Sequence, residues 1–276
     1  KIFSIYNFIK NNECKIRFEP IPHNHLQIEN YLKAIMMKAI ILAAGRGSRM
    51  GSMTEDKPKC LLEIKGKTLL ATQIETIHNG GVTEIGVVTG YKRELIMQHH
   101  DLYEFNNPDW NDTNMVHSLS MADEWLSKQS CIVSYGDLFY DSSAIVALIK
   151  SQDQLAMMFD RDWLSLWSRR FPDPLSDAET FIIDKNLFVQ EIGAKPLSLA
   201  QIQGQYMGIL RFNPESWNLF KSLYSALEDT ARNKIDMTSM LQLIIKSEKL
   251  PIKGINYEGV WGEIDSQDDI QIYRDI

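Results

Sequence analysis

The run Lys38–Ala39–Ile40–Ile41–Leu42–Ala43–Ala44–Gly45–Arg46–Gly47–Ser48–Arg49–Met50 turns from apolar residues to small and basic ones within a few positions. Residues 38–43 form an apolar run bounded by Gly45, which reads as a short, fully buried strand. The small residues that follow allow backbone N–H groups to close around phosphate oxygens, and Arg46, Arg49 and Lys59 (in Lys57–Pro58–Lys59) supply positive charge. The glycine spacing matches neither the P-loop nor the dinucleotide fingerprint.

Outward from this stretch, strand-like and helix-like segments alternate. Thr68 to His78 carries Leu69, Leu70, Ile74 and Ile77 at helical spacing and is ended by Gly80–Gly81. Glu84 to Thr89 reads as a strand, Lys92 to Gln98 as a helix, and Met115 to Leu126 as an amphipathic helix. Ser130 to Tyr135 is a third apolar strand, ending in Gly136–Asp137. A helix over Ile145 to Ile149 and a strand over Leu155 to Phe159 follow. This rhythm predicts an α/β fold, a Rossmann-like, mostly parallel sheet flanked by helices. Ligands of such sheets gather at the carboxyl ends of the strands, here just after Ala43, Thr89, Tyr135 and Phe159.

The second half is less regular. Trp163 to Arg170 is expected as a helix, and Phe181 to Ile183 with Leu187 to Ile192 as paired strands. Tyr206 to Phe212 reads as a strand, Pro214 to Leu227 and Ile235 to Ile245 as helices, and 261–265 as a short strand before a last helix. The expectation is a single domain over 37–276, with a more antiparallel acceptor-binding portion and an amino-terminal extension over 1–36 as a packing or dimerising arm.

The composition suits an enzyme-sized globular protein. Of 276 residues, 44% are apolar and 24% charged, which excludes low-complexity and collagen-like chains. The net charge of −7 lacks the basic signature of a nucleic-acid binder. Cys14, Cys60 and Cys131 form neither a disulfide framework nor a zinc motif, and the histidines have no zinc-ligand spacing. Without an apolar run of membrane-spanning length or a secretory leader in Lys1 to Met36, a cytoplasmic location is expected.

The string Leu42–Ala43–Ala44–Gly45–Arg46–Gly47–Ser48–Arg49–Met50, with Pro58–Lys59 after a short gap, resembles the signature of nucleotidyltransferases that activate sugar phosphates and phospho-alcohols. The resemblance implies a nucleotide-diphospho-sugar transferase type of fold. It also implies that Leu42, Ala43, Ala44, Gly45, Arg46, Gly47 and Lys59 hold nucleotide phosphates. Val88–Thr89–Gly90–Tyr91 looks like the family's turn beside the base, which adds Thr89 and Tyr91. Asn111 to Leu119 looks like the Asn-rich helix start of its small cytidylyltransferases, where Asn114 and Ser118 would face a pyrimidine. Asp137 and Asp265 end strands where the family places metal-binding aspartates, and two separated carboxylates on one hard cation suit Mg²⁺. Lys59, Arg49, Asp137 and Asp265 are then the expected catalytic set.

For the acceptor, aromatic faces interleaved with carboxylates from Asp160 to Glu179 suit a small organic cation. Asp160, Trp163 and Glu179, with Tyr206 on a later strand, are the candidate acceptor residues. Asp160–Arg161–x–Trp163, with Arg169–Arg170–Phe171 and Asp177–Ala178–Glu179–Thr180, resembles 2-aminoethylphosphonate cytidylyltransferases, relatives of phosphocholine cytidylyltransferases. That implies CTP and a small amine-bearing phosphonate or phosphate, with 2-aminoethylphosphonate favoured. The alternatives are phosphocholine, a sugar 1-phosphate with UTP, dTTP or GTP, and a non-catalytic nucleotide-binding subunit.

Overall fold

The computed structural model describes residues 37–98 and 102–273. The expected extension over 1–36 and the His99–His100 pair lie outside the described residues. The strands are β1 (Lys38–Leu42), β2 (Glu63–Ile64), β3 (Lys67–Thr68), β4 (Glu84–Thr89), β5 (Tyr103–Asn106), β6 (Cys131–Tyr135) and β7 (Leu138–Tyr140). They continue as β8 (Leu155–Asp160), β9 (Phe181–Ile183), β10 (Val189–Ile192), β11 (Gln205–Phe212), β12 (Lys253–Asn256) and β13 (Trp261–Glu263). The helices are α1 (Leu69–Asn79), α2 (Arg93–Met97), α3 (Met115–Ser120), α4 (Asp123–Leu126) and α5 (Ser142–Lys150). Then come α6 (Trp163–Arg170), α7 (Pro214–Ser225), α8 (Asp229–Lys234), α9 (Met237–Ser247) and α10 (Gln267–Tyr273).

Seven strands form the central sheet in the order β12-β8-β11-β6-β1-β4-β5. Its pairs are parallel except where β11 runs antiparallel to both β6 and β8. Alternating side chains along β1 feed two cores. Ala39 and Ile41 pack with Leu70 and Ile77 of α1 and Ile145 and Leu148 of α5. Ile40 packs on the opposite face with Leu119 of α3, Trp217 and Phe220 of α7 and Ile244 of α9. The buried centre of β1 (Ala39, Ile40 and Ile41) therefore lies between two layers of helix, and its carboxyl end opens at one edge of both. No helix among the described residues is long and apolar enough to cross a membrane.

The amphipathic stretch from Met115 to Leu126 is two helices instead of one. Met121 N and Ala122 N donate three residues back, to Ser118 O and Leu119 O, and the Ser120 hydroxyl donates to His117 O at 2.6 Å. This tightened, side-chain-satisfied turn ends α3 and redirects the chain into α4. Strands β2, β3, β5, β7 and β12 and helix α8 have no counterpart in the sequence reading, being short or carrying polar residues within them.

One ion-paired contact ties α4 to α7. The Asp123 carboxylate accepts from Trp217 Nε1 at 2.7 Å, Ser127 Oγ at 2.6 Å and Lys221 Nζ at 2.7 Å. Burial alone would raise its pKa, but Lys221, Ser127 and Trp217 together hold it down at about 2. The folded value is below the unfolded one, so this stabilisation is complete above the ordinary carboxylate range and fades as pH falls toward 2. Asp123→Asn should cost about 1 kcal/mol at neutral pH, held to that size by partial exposure. In urea titrations the gap between wild type and variant should narrow steadily from pH 4 downward; a pH-independent gap would contradict the assignment.

Candidate active site

Beyond β1 the chain makes a tight loop. Ala43 N donates to Val88 O at 2.9 Å, which keeps the strand end in register. Gly47 then adopts a left-handed conformation (φ 73°), and the Thr54 hydroxyl donates back to Gly47 O at 3.0 Å, closing the loop. A Cβ at Gly47 would sit 2.8 Å from Lys59 Cβ and Cδ, so this glycine gives the Lys59 stem its path. At the end of β6, Gly136 N donates to Leu42 O at 2.9 Å, an approach a side chain would block. The resulting cleft of about 300 Å³ has the loop from Leu42 to Gly45, with Gly47, Arg49 and Lys59, on one side. Trp110, Thr113, Asn114 and Ser118 form its other side, and Tyr135 to Asp137 its base.

A two-stranded ribbon completes the floor. β13 pairs antiparallel with β7, Glu263 lying opposite Leu138, and Ile264 N donates to Asp137 O at 3.0 Å. Asp137 and Asp265, far apart in sequence, are thereby neighbours. Ligand oxygens of Asp137, Glu263 and Asp265 lie within 4.8 Å of one another. Lys59 Nζ bridges them, 2.6 Å from Asp137 Oδ2 and 2.7 Å from Asp265 Oδ1, and Arg49 Nη2 reaches the same Asp265 oxygen at 2.7 Å. Burial alone would lower the Lys59 pKa, but the fields of Asp137, Asp265 and Glu263 raise it, so the ammonium stays charged. Burial, with Asp265 and Asp137 beside it, pushes Glu263 well above the usual carboxylate range. Burial opposes ionisation of Asp265 as well, yet Lys59 and Arg49 hold its pKa down.

The trio fits a hard divalent cation. Every donor is an oxygen, and Asp137 Oδ1 is buried without a hydrogen-bond partner. Glu263 is the member of this acidic trio that sequence reasoning passed over. Its signal was its spacing, since residues two apart on an extended segment face the same side.

A second cleft of about 220 Å³ adjoins the first, sharing Arg49, Met115 and Tyr135 with it and meeting the carboxylates at Glu263 and Asp265. Its walls include Trp167, Asp177, Glu179, Tyr206 and Asp236. A bulge in β11 between Tyr206 and Leu210 turns Tyr206 toward this cleft while Leu210 stays in the core. Burial raises the pKa of Glu179, whose Oε1 accepts from the Thr238 hydroxyl at 3.3 Å.

Some expected site residues fall elsewhere. Trp163 and Trp167 are both core, packed edge-on at 6.1 Å, and of the two it is buried Trp167 that lines the cleft. Asp160 is spent on structure: its Oδ2 accepts from Trp261 Nε1 at 2.9 Å and its Oδ1 from Asp162 N at 2.7 Å. Thr89 is fully buried and donates to Glu104 at 2.6 Å. Tyr91 lies behind Trp110, ring centroids 5.2 Å apart, and exposed Arg46 lies over the Tyr91 ring at 5.9 Å. Tyr91, with Arg46 over its ring, backs the wall that Trp110 presents. Asn114 and Ser118 do line the first cleft, each with a local partner as well. Asn114 Oδ1 caps Met115 N at 2.7 Å, and Ser118 Oγ accepts from Asn107 Nδ2 at 3.0 Å.

The sequence profile of the MobA-like NTP transferase domain matches residues 39–180, from β1 through the first wall of the second cleft. CTP:phosphoglutamine cytidylyltransferase of Campylobacter jejuni is 34% identical over 251 residues, which cover 86% of this chain and 98% of that protein. The chain belongs to the MobA-like NTP transferase family. This MobA-like transferase is also similar to choline-phosphate cytidylyltransferase of Streptococcus pneumoniae, 36% identical over 106 residues, 37% of this chain and 46% of the other. The structure of the inositol-1-phosphate CTP transferase from T. maritima superposes with a TM-score of 0.67 at 19% identity, covering 86% of this chain and 91% of that one. At that identity the superposition speaks for the Rossmann-like fold alone. Family membership makes the chain an enzyme of nucleotide transfer.

The MobA-like loop makes a direct prediction. Gly47→Ala forces an L-residue into a left-handed conformation and pushes on the Lys59 stem. It should lower Tm by about 2–4 °C and kcat/KM by about tenfold or more. A Cβ at Gly45 meets nothing within 4 Å, so Gly45→Ala should keep the wild-type Tm. Thermal melts and a pyrophosphate-release assay check both.

Proposed function

We propose that this MobA-like transferase joins CMP from CTP to a small phosphate or phosphonate that bears a positively charged nitrogen, releasing pyrophosphate. The observation that carries this reading is the second cleft, where Asp177, Glu179 and Asp236 stand with Trp167 and Tyr206 beside the carboxylate centre. Carboxylates over aromatic walls suit an ammonium group by charge and by cation–π attraction. The names of three relatives support it: CTP:phosphoglutamine cytidylyltransferase, choline-phosphate cytidylyltransferase and CMP-5'-(3-aminopropyl)phosphonate synthase, the last 28% identical over 135 residues. Choline phosphate and 2-aminoethylphosphonate both belong to the proposed class.

In the reaction an acceptor oxygen bonds to the α-phosphorus of CTP as the bond from that phosphorus to the pyrophosphate oxygen breaks. No covalent enzyme intermediate is needed, so the protein works by positioning and charge neutralisation. Asp137, Glu263 and Asp265 are the residues that would hold Mg²⁺. When bound, the ion neutralises phosphate charge and helps orient the triphosphate. The amides of Ala44 to Gly47 face the nucleotide phosphates. Lys59 carries its charge at the boundary of the two clefts, where the reacting phosphate must lie. Arg49 lines both clefts and can hold phosphate oxygens on either side of the transfer. Asn114, Ser118 and Trp110 form the compartment for the base.

A pyrophosphate-release panel with CTP, UTP, dTTP and GTP against choline phosphate, 2-aminoethylphosphonate, phosphoglutamine and glucose 1-phosphate tests the reading. CTP with a nitrogen-bearing acceptor should be the productive combination. Preference for glucose 1-phosphate would overturn the acceptor class, and preference for another nucleotide would overturn the cytidylyl assignment. Asp137→Asn should reduce turnover by about two orders of magnitude or more while the protein stays folded.

Glu179 supplies a pH signature. Because burial raises its pKa, it loses its charge on acidification sooner than an ordinary carboxylate at about 4.3. The acceptor KM should therefore rise as pH drops through the mildly acidic range, with CTP KM less affected. Glu179→Gln should raise acceptor KM about tenfold at neutral pH and flatten that dependence. An unchanged KM and pH profile would remove Glu179 from the acceptor site.

A further inference from the structure

Arg170 closes α6, the helix whose Trp167 walls the second cleft. Its side chain is only 1% exposed and lies over the neighbouring rings of Trp167 and Phe171, at 5.0 and 5.1 Å. Nε and Nη2 grip Asp269 in a two-pronged pair, at 2.8 Å to Oδ1 and 3.3 Å to Oδ2. The guanidinium also faces two members of the acidic trio, with Nη2 3.5 Å from Asp265 Oδ2 and Nη1 3.7 Å from Glu263 Oε2. Nη1 has no hydrogen-bond partner.

Asp269 completes the arrangement from the other side. Its Oδ2 accepts from Asp265 N at 2.9 Å and Ser266 N at 2.8 Å. Asp269 thus fixes the backbone that carries Asp265, while Arg170 fixes the direction of the Asp265 and Glu263 carboxylates. Neither residue lines the two clefts. As packing alone, a buried guanidinium with an unfilled N–H is a poor choice, because an apolar side chain of similar volume avoids the desolvation cost. As a holder of carboxylates it is apt. Its plane is rigid, its charge is permanent, and it counters the repulsion that would splay three acids packed within 4.8 Å.

The geometry points to Arg170 and Asp269 as a positioning pair that holds Glu263 and Asp265 converged with Asp137 as ligands for one divalent cation. The inference rests on the trio being a divalent-cation site. Partners of this outer kind set ligand orientation, and losing one typically weakens metal affinity or activity about 10- to 100-fold.

The test compares the full chain with its Arg170→Lys and Asp269→Asn forms. Lysine keeps the charge and loses the planar fork, so a change reflects geometry instead of net charge. Nucleotide-free protein is titrated with Mn²⁺, the free ion being read by its electron paramagnetic resonance signal, alongside thermal melts and steady-state kinetics. Mn²⁺ affinity should fall about tenfold or more in both folded variants. Part of the lost kcat should return at high Mg²⁺, with CTP KM at saturating Mg²⁺ moving by less than about twofold. A purely structural pair would instead lower Tm and leave Mn²⁺ affinity alone, and that result in the folded variants would overturn the inference. Should Arg170→Lys fail to fold, Asp269→Asn decides. If the wild type itself binds no Mn²⁺ up to millimolar concentrations, the cation-site reading and the positioning role fall together. If it binds and both variants match it, only the positioning role falls.

Discussion

The Lys59 ammonium between Asp137 and Asp265 is the contact around which the two clefts are organised. It joins three separate parts of the chain: the loop after β1, the turn after β6 and the end of β13. Buried like charges cannot be packed together without a counterion, because a low-dielectric interior magnifies their repulsion. Lys59 answers that constraint from the first cleft and Arg170 from the opposite side, while Arg49 reaches Asp265 at the boundary.

The sheet makes this balance possible. Parallel β6, β1 and β4 end at one edge, so the turns after Leu42 and Tyr135 open side by side. Antiparallel β11, between β6 and β8, carries a wall of the second cleft to that same edge, and its bulge turns Tyr206 toward it. The β7–β13 ribbon then lays Glu263 and Asp265 against Asp137. The two clefts therefore share one charged partition, which under the proposed function would separate the nucleotide from its acceptor.

Much of this was legible beforehand. The buried strand 38–43 and the alternation that followed it fixed a helix-covered, mostly parallel sheet, because apolar periodicity reports burial directly. The small-and-basic loop with Lys59, and the aspartates ending two strands, named the partition. The reading stopped short where a residue's role depends on which way its side chain points at the end of a strand. Thr89 and Asp160 occupy the expected strand ends, yet Thr89 donates to Glu104 and Asp160 accepts from Trp261. Trp163 and Trp167, one helical turn apart, have indistinguishable sequence signals, and only Trp167 reaches the cleft.

By itself, then, the sequence determined the class of fold, the small-and-basic loop after the first strand and the charge types at the partition, since these follow from local periodicity and residue chemistry. Tertiary structure alone decided which residues meet. The place of Glu263 in the acidic trio, the Trp110 wall and the Arg170–Asp269 pair depend on contacts between segments far apart in the chain. Such contacts follow from strand order, register and a bulge, and local residue patterns do not encode which of several equivalent side chains the packed interior will use and which it will turn toward the cleft.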